Sequence, residues 1–152
     1  MNLKNMKKAC NALEGKHDFK NFSKFDKEEE KIIRDLQVAT LHLDDNFIIF
    51  DFKSRAFLRQ QIRRIVAKIL EVGLDIINLD DFLDLFDSSK TISYQPADPK
   101  GLILWDVCFG SSIQFIIDIK SKERMYKYFS EQEKNHASKT RLFRLLQHNN
   151  IS

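Results

Sequence analysis

One apolar stripe at helical spacing dominates the hydrophobic pattern of this chain. Between 53 and 73 the residues of the stripe recur at i, i+4, i+7, i+8 and i+11, and they are Leu58, Ile62, Ile65, Val66 and Ile69. Ser54 suits a helix N-cap, and Gly73 stands where a left-handed residue often ends a helix. The pattern therefore predicts one long amphipathic helix over 53–73.

Cationic side chains line both borders of this apolar stripe. At about 100° per residue, Arg59 and Arg63 lie along one border, and Arg64 and Lys68 lie along the other. A helix of this kind can pack on a sheet while it presents positive charge to a groove. A solvated amphipathic helix without a ligand would show the same pattern, so both interpretations stay open.

The remaining chain alternates between helical and strand-like patterns. The other predicted helices cover 2–14, 81–87 (capped by Asp80), 121–134 and 138–148. The predicted strands form two hairpins, 32–43 with 47–52 and 102–109 with 113–119. Residues 16–23 are predicted as an aromatic and basic loop, and 24–31 as a charged surface loop or short helix. This order indicates an α+β fold, an antiparallel sheet with helices packed on one face.

Composition limits the classes of protein to be considered. The chain has 152 residues, 43% of them hydrophobic and 31% charged, which predicts one globular domain or a large part of one. A net charge of +3 permits an anionic partner but does not require one. Cys10 and Cys108 form no CxxC pair, so neither a disulfide framework nor a metal site is predicted. No apolar run approaches the ~20 residues of a membrane span, and we expect a cytoplasmic protein without membrane contact.

Catalytic candidates are few when the residues are taken alone. No P-loop, dinucleotide fingerprint or nucleophile elbow is present. His17 beside Asp18 could form an acid–base pair, although the more common role of such a histidine is to cap a helix end. The acidic residues near 80 are more typical of a helix start than of a cation site, and they are Asp80, Asp81, Asp84 and Asp87. The chain offers a cationic helix and a basic loop, but no self-sufficient catalytic centre.

Three motifs follow one another in a fixed order. Residues 12–23, ALEGKHDFKNFS, are similar to L-x-G-x-H-D-F-x-x-F, and residues 54–73 are similar to F-L-x-x-x-V-R-x-I-V-G-x-L-x-x-V-G. Residues 97–104, ADPKGLIL, are similar to A-P-P-x-G-L-x-L. Together the motifs resemble the tRNA pseudouridine synthase A family over about 9–109. Ala67 replaces a usual glycine, and Asp98 replaces the first usual proline.

The resemblance implies an isomerase that converts uridine to pseudouridine in the anticodon stem-loop of tRNA. It implies an antiparallel sheet with helices on one side, no cofactor, and a homodimer whose two subunits share one tRNA. The family's nucleophilic aspartate and base-stacking tyrosine lie in an N-terminal half whose motifs this chain lacks. We therefore expect the C-terminal half of a synthase, inactive alone, with 1–119 as the family domain and 120–152 as its helical extension.

The resemblance also assigns roles to individual residues. Arg63 corresponds to the arginine that pairs with the catalytic aspartate, and Leu102 corresponds to an apolar wall against the flipped base. Charge placement adds candidate phosphate contacts, and these are Arg55, Arg59, Arg64, Lys68, Lys16 and Lys20. The alternative is a non-catalytic module of the same fold that binds structured RNA or dimerises. A DNA-binding domain is a more distant third, because helix-turn-helix spacing is missing.

Overall fold

The computed structural model describes residues 1–24, 32–110, 113 and 115–148. Within these residues the chain forms two compact units, Met1–Ile103 and Leu104–Ser152. The predicted division at 119 concerns the domain of a longer protein and stays a prediction. Most of the predicted charged segment 24–31 and the predicted turn at 111–112 lie outside the described residues. In the described part, no helix is both long and apolar enough to cross a membrane.

In the described residues, the first unit contains three helices and three strands, and the second contains one long helix. The helices are α1 (Leu3–Leu13), α2 (Gln61–Gly73), α3 (Leu79–Leu83) and α4 (Ile119–His148). The strands are β1 (Gly15–Asp18), β2 (Ile33–Asp44) and β3 (Phe47–Ser54). Short 3₁₀ turns cover Lys20–Phe22, Asp84–Phe86 and Pro99–Gly101. The predicted α+β class is confirmed.

The sheet is antiparallel with the order β1-β2-β3. Asp45, at a φ of +49°, makes the turn between β2 and β3, which confirms the predicted first hairpin. A bulge lies between Leu36 and Val38. An extra residue in one strand shifts the alternation by one position, so Leu36 and Ala39 are both buried. The bulge explains why the sequence of β2 alternates only in part.

One face of this sheet is covered by helices. Helix α1 packs on β2 and on α2, while Asp35, Gln37, Thr40 and His42 on the other face of β2 are exposed. The core lies between the covered face and the helices. Its buried apolar residues are Met6, Ala9, Cys10, Leu13, Phe19, Phe22, Leu36, Ala39, Leu41, Leu58, Ile65, Ile69, Val72, Phe82 and Leu85.

Helix α2 begins at Gln61 and not at 53 as predicted. Ser54 still belongs to β3, where it pairs with Leu36, and its hydroxyl donates to the carbonyls of Asp35 (2.8 Å) and Ala56 (3.0 Å). Because the ladder with β2 uses the backbone as far as Ser54, this residue cannot cap a helix. Gln60, with a φ of +59°, reverses the chain into α2.

The end of α2 also differs from the prediction. Gly73 is helical, and the left-handed residue is Asp75, with a φ of +56°. Ile76 N–H donates to Glu71 O at 2.9 Å and Asp75 N–H to Val72 O at 3.2 Å, the paired bonds of a Schellman motif. A Cβ at position 73 would clash with Met6 Sδ and lie 2.8 Å from Met6 Cγ. The glycine therefore serves the close packing of α1 on α2.

Two shorter elements need correction. Residues 15–18 of the predicted loop region form β1, an edge strand against β2, and Phe19 and Phe22 after it are fully buried. The N-cap of α3 is Asn78 and not Asp80. Asn78 Oδ1 accepts from the Asp81 amide at 2.8 Å and the Asp81 carboxylate accepts from the Asn78 amide at 3.1 Å, a capping box.

The second predicted hairpin is wrong in its described part. The described residues of 102–118 form no strand, although the rings of Phe109 and Phe115 contact each other edge to face at 5.7 Å. Trp105 is 90% exposed and Ile116 is 97% exposed, so the described residues of the second unit form no layer over these side chains. Alternating apolar residues need such a layer to hold a strand pair.

The two predicted C-terminal helices are one. Helix α4 runs without interruption over Ile119–His148. The predicted break at 135–137 contains Asn135, His136 and Ala137, and none of these is a proline or glycine that would interrupt a helix.

Candidate functional site

Arg63 joins α2 to the third motif. Its Nε donates to Ala97 O at 2.7 Å, and the Ala97 amide donates to Arg63 O at 3.0 Å. These reciprocal bonds fix both the backbone at Ala97 and the plane of the half-buried guanidinium. In the described part of the chain, no carboxylate oxygen lies within 4.0 Å of Arg63. The two Nη atoms therefore have no carboxylate partner among the described residues.

The third motif continues into a tight turn that ends at Leu102. Asp98 caps the 3₁₀ turn, because its Oδ1 accepts from the Lys100 amide at 2.9 Å, and Pro99 occupies the first position. Asp98 thus serves the turn where the family pattern has a proline. The Leu102 amide donates to Pro99 O at 2.9 Å, and 51% of the residue surface is exposed. The side chain is available as an apolar surface.

Arg64 and Lys68 both contact the ring of Tyr94, a partner that the sequence did not predict. Arg64 is 7% exposed, its Cζ lies 4.2 Å from the centre of the Tyr94 ring, and its Nη1 donates to Tyr94 O at 2.9 Å. Lys68 Nζ lies 4.4 Å from the same ring centre and 2.7 Å from a Glu71 carboxylate oxygen. Burial raises the pKa of the Tyr94 phenol, so it stays neutral and contributes a ring to both cations.

The other candidate cations occupy different surroundings. Arg55, Arg59 and Lys16 are exposed. Lys20 is half-buried, and its Nζ donates to Ser88 O at 2.8 Å. The Lys24 amide donates to Arg59 O at 2.9 Å, which holds the loop after β1 against the approach to α2. The structure therefore brings Lys20 towards α2 but leaves Lys16 on an edge strand.

His17 and Asp18 have separate roles. His17 Nε2 lies 2.9 Å from Glu14 O, and since a carbonyl only accepts, Nε2 carries the proton. Glu14 is the C-cap of α1, and the His17 ring packs on Phe86 at 4.7 Å. Asp18 Oδ1 accepts from the Lys20 amide at 2.9 Å. The histidine closes a helix end, which was the alternative to an acid–base pair.

Sequence reasoning missed Asn21, a buried residue between two buried phenylalanines. Its Nδ2 donates to Leu85 O at 3.0 Å and to Asp87 O at 3.2 Å, and its Oδ1 accepts from the Ile92 amide at 3.0 Å. These bonds fix the segment 85–92 beside the loop that follows β1. An asparagine in a polar loop carries no signal of such a role.

A pocket of about 430 Å³ lies beside this junction. Its walls are Lys20, Asn21, Ser23, Lys24, Arg64 and residues 91–93. Three of these residues are cations, and none is acidic. Among the described residues, no three His, Cys, Asp or Glu side chains are grouped as metal ligands would be.

Comparison with known proteins identifies the class to which this fold and these motifs belong. Residues 9–110 match the sequence model of the tRNA pseudouridine synthase family. The chain is 34% identical over 148 residues to a tRNA pseudouridine synthase A of Archaeoglobus fulgidus, covering 97% of this chain and 56% of the relative. It is 28% identical over 145 residues to the tRNA pseudouridine synthase A of Pyrococcus furiosus, covering 94% of this chain and 53% of that relative.

The corresponding protein of Wolinella succinogenes is 32% identical over 113 residues, which cover 74% of this chain and 45% of that relative. The chain therefore belongs to the tRNA pseudouridine synthase family, which confirms the resemblance drawn from the three motifs. It spans about half the length of the curated relatives it matches.

Proposed function

We propose that this chain forms the C-terminal half of an enzyme that isomerises uridine to pseudouridine in the anticodon stem-loop of tRNA. The supporting observation is the placement of Arg63, whose guanidinium is fixed at Nε by Ala97 and keeps both Nη atoms for an acidic partner. Family membership supports the reaction class, and the relatives' names state tRNA as their substrate. The nucleophilic aspartate belongs to the half that this chain does not contain.

The role proposed for Arg63 follows from the chemistry of a carboxylate nucleophile. A carboxylate in a partly dehydrated cleft tends to take up a proton, which would remove its nucleophilic electron pair. A guanidinium at its side keeps it ionised and aims it through two parallel hydrogen bonds. Because Nε of Arg63 is already bound, the end of the guanidinium with the two Nη atoms would face the aspartate.

Leu102 is proposed as one wall of the base pocket. A uridine within a stem-loop must leave its stack to reach the nucleophile, at a cost of a few kcal/mol. Apolar contact with a half-exposed leucine at the end of a fixed turn would offset part of this cost. Arg63 contacts Ala97 at the start of the segment 97–101, and Leu102 directly follows that segment.

The proposed RNA contacts differ in what their surroundings permit. Arg55, Arg59 and Lys16 are exposed and remain proposals as phosphate contacts. Lys68 is held by Glu71 and Tyr94, so RNA would have to compete with an existing ion pair. We further propose a cytoplasmic homodimer that shares one tRNA, as the family resemblance implies.

Two measurements on one native preparation test the proposal. The polypeptide that contains this segment is captured from its cells with an antibody to the segment, and its intact mass and tritium release from uridine-labelled tRNA are measured. We expect a mass close to twice 18.0 kDa and release of tritium, whereas the 152-residue chain alone releases none. A native mass near 18.0 kDa without activity would instead favour a non-catalytic RNA-binding or dimerisation module.

A further inference from the structure

We infer that the pocket between the loop after β1, α2 and residues 91–93 binds one phosphate group of the RNA backbone. This inference rests on the proposed function, because it assigns a contact through which the same tRNA would be held. The pocket has a volume of about 430 Å³, within the usual range of small-ligand sites. It lies within the first unit, and its described walls are Lys20, Asn21, Ser23, Lys24, Arg64 and residues 91–93.

The charge of the lining selects an anion. Lys20, Lys24 and Arg64 line the pocket, and none of the lining residues within 1–24 and 32–110 is an aspartate or glutamate. Lys20 uses one Nζ hydrogen on Ser88 O at 2.8 Å and keeps the others. Lys24 is exposed, and its side chain makes no ion pair with any residue in the described ranges. Three neighbouring cations repel one another, and an anion placed between them removes that repulsion.

Arg64 gives the pocket a buried cation with unused hydrogen-bonding capacity. The residue is 93% buried, since only 7% of its surface is exposed. Its Nη1 is bound to Tyr94 O, while its Nε is buried without a hydrogen-bond partner in the described structure. Buried donors on charged groups are nearly always paired, so an unpaired donor on a residue that lines the cavity favours an anionic ligand.

The wall formed by residues 91–93 is held in place before any ligand arrives. Asn21 binds the Ile92 amide at 3.0 Å and two carbonyls of the segment before it, which sets the path of residues 91–93. The hydroxyls of Thr91 and Ser93 are exposed and make no hydrogen bond to the described part of the chain. Both can donate to phosphate oxygens, so hydroxyl and cationic donors line the same space.

The lining favours a backbone phosphate over a base. A pocket for an unstacked base presents an aromatic or guanidinium face to the ring. Among the described lining residues none is aromatic, and the guanidinium of Arg64 already lies over the Tyr94 ring. Hydroxyls, ammonium groups and a guanidinium edge are the donors that phosphodiester oxygens accept from.

Binding of an anticodon stem-loop RNA to the 152-residue chain, measured by fluorescence anisotropy at several salt concentrations, tests the inference. Lys24→Gln should weaken binding about fivefold or more and lower the slope of log affinity against log salt by about 0.7 to 1. Ser93→Asp should weaken binding further, because it places a carboxylate in the pocket. Lys8→Gln is the matched control, since it removes the same charge from an exposed position on α1, and it should change the affinity by less than about twofold.

The Arg64 Nε–H resonance in a ¹⁵N spectrum distinguishes the source of the phosphate. We expect this resonance to shift when the RNA is added to the unsubstituted chain. In Ser93→Asp, the same titration should leave the resonance at its RNA-free position. A shift with inorganic phosphate but none with RNA would overturn the inference, as would equal affinities and salt slopes for Lys24→Gln and Lys8→Gln. Tritium release by the native enzyme is measured separately, so a failure of this pocket is distinguishable from a failure of the proposed function.

Discussion

Replacing Asn21 with alanine should remove the three hydrogen bonds that join the loop after β1 to the segment 85–92. The bonds measure 3.0, 3.2 and 3.0 Å, and Asn21 is 2% exposed, so water cannot simply replace the amide. A buried hydrogen bond contributes about 1 kcal/mol net, and an unpaired buried group costs about 1–3 kcal/mol. Since the Leu85 carbonyl and the Ile92 amide lose this partner together, we expect a loss of about 2–4 kcal/mol in the free energy of unfolding.

Urea unfolding followed by far-ultraviolet circular dichroism measures this loss as a lower midpoint at constant slope. Asn11→Ala is the matched control, because Asn11 is exposed on α1 and its side chain makes no hydrogen bond to the described residues. Alanine favours helix more than asparagine does, so the control should be neutral or slightly stabilising. A loss below about 1 kcal/mol for Asn21→Ala would refute the reasoning, as would unchanged hydrogen exchange at the Ile92 amide.

Three further changes test other parts of the structure. Gly73→Ala should destabilise the chain by about 1–2 kcal/mol, because the new methyl group meets Met6. In a double-mutant cycle measured by urea unfolding, the combined loss of Gly73→Ala and Met6→Ala should be smaller than the sum of the two single losses. Tyr94→Phe should leave stability unchanged or raise it by up to about 1 kcal/mol, because it removes a buried hydroxyl without a partner in the described structure. Tyr94→Leu should instead cost about 1–2 kcal/mol, because it removes the ring that Arg64 stacks on. Equal losses of stability for the two variants would contradict this. Burial raises the pKa of the Cys10 thiol from 9.0 to about 11, so the unfolded chain releases this proton first, and the free energy of unfolding should fall as pH rises from about 9 to 11. This fall should be smaller by about 2–3 kcal/mol in Cys10→Ala. Parallel curves of stability against pH for the two chains would argue against it.

Local periodicity was sufficient to predict most of the buried face that α2 presents to the core. Of the predicted stripe, Leu58, Ile65 and Ile69 are buried, and Ile62 and Val66 are partly buried. Such faces are set by residues a few positions apart, which the sequence displays directly. The ends of α2 depend on distant contacts, namely the ladder that retains Ser54 in β3 and the close approach of Met6 to Gly73. Neither contact is visible in local sequence.

The second hairpin shows where alternation alone is insufficient. Apolar residues at every second position specify a strand only when a neighbouring layer covers them. Within the second unit Trp105 and Ile116 remain almost fully exposed. The alternating pattern is therefore present in the sequence, but the described residues of the second unit do not form the covering layer that a sheet would need.

The candidate site was predictable as a set of motifs but not as a set of contacts. The bond between Arg63 and Ala97 joins residues 34 positions apart, and the motifs supplied both residues without showing that they touch. Arg64 is a candidate phosphate contact by its charge, but the sequence gives no sign that it is buried against Tyr94. Charge placement identifies cations, whereas their burial depends on which segment packs over them.

The steady-state kinetics of Arg63→Ala in the complete synthase, with tRNA affinity measured in parallel, test the central claim most directly. If Arg63 holds the catalytic carboxylate, kcat should fall on the order of 100-fold or more while tRNA binding changes by less than about threefold. Lys8→Gln, on the exposed face of α1, should alter neither quantity. Equal losses in turnover and in tRNA affinity for Arg63→Ala would contradict the account, because they would make Arg63 only a phosphate contact.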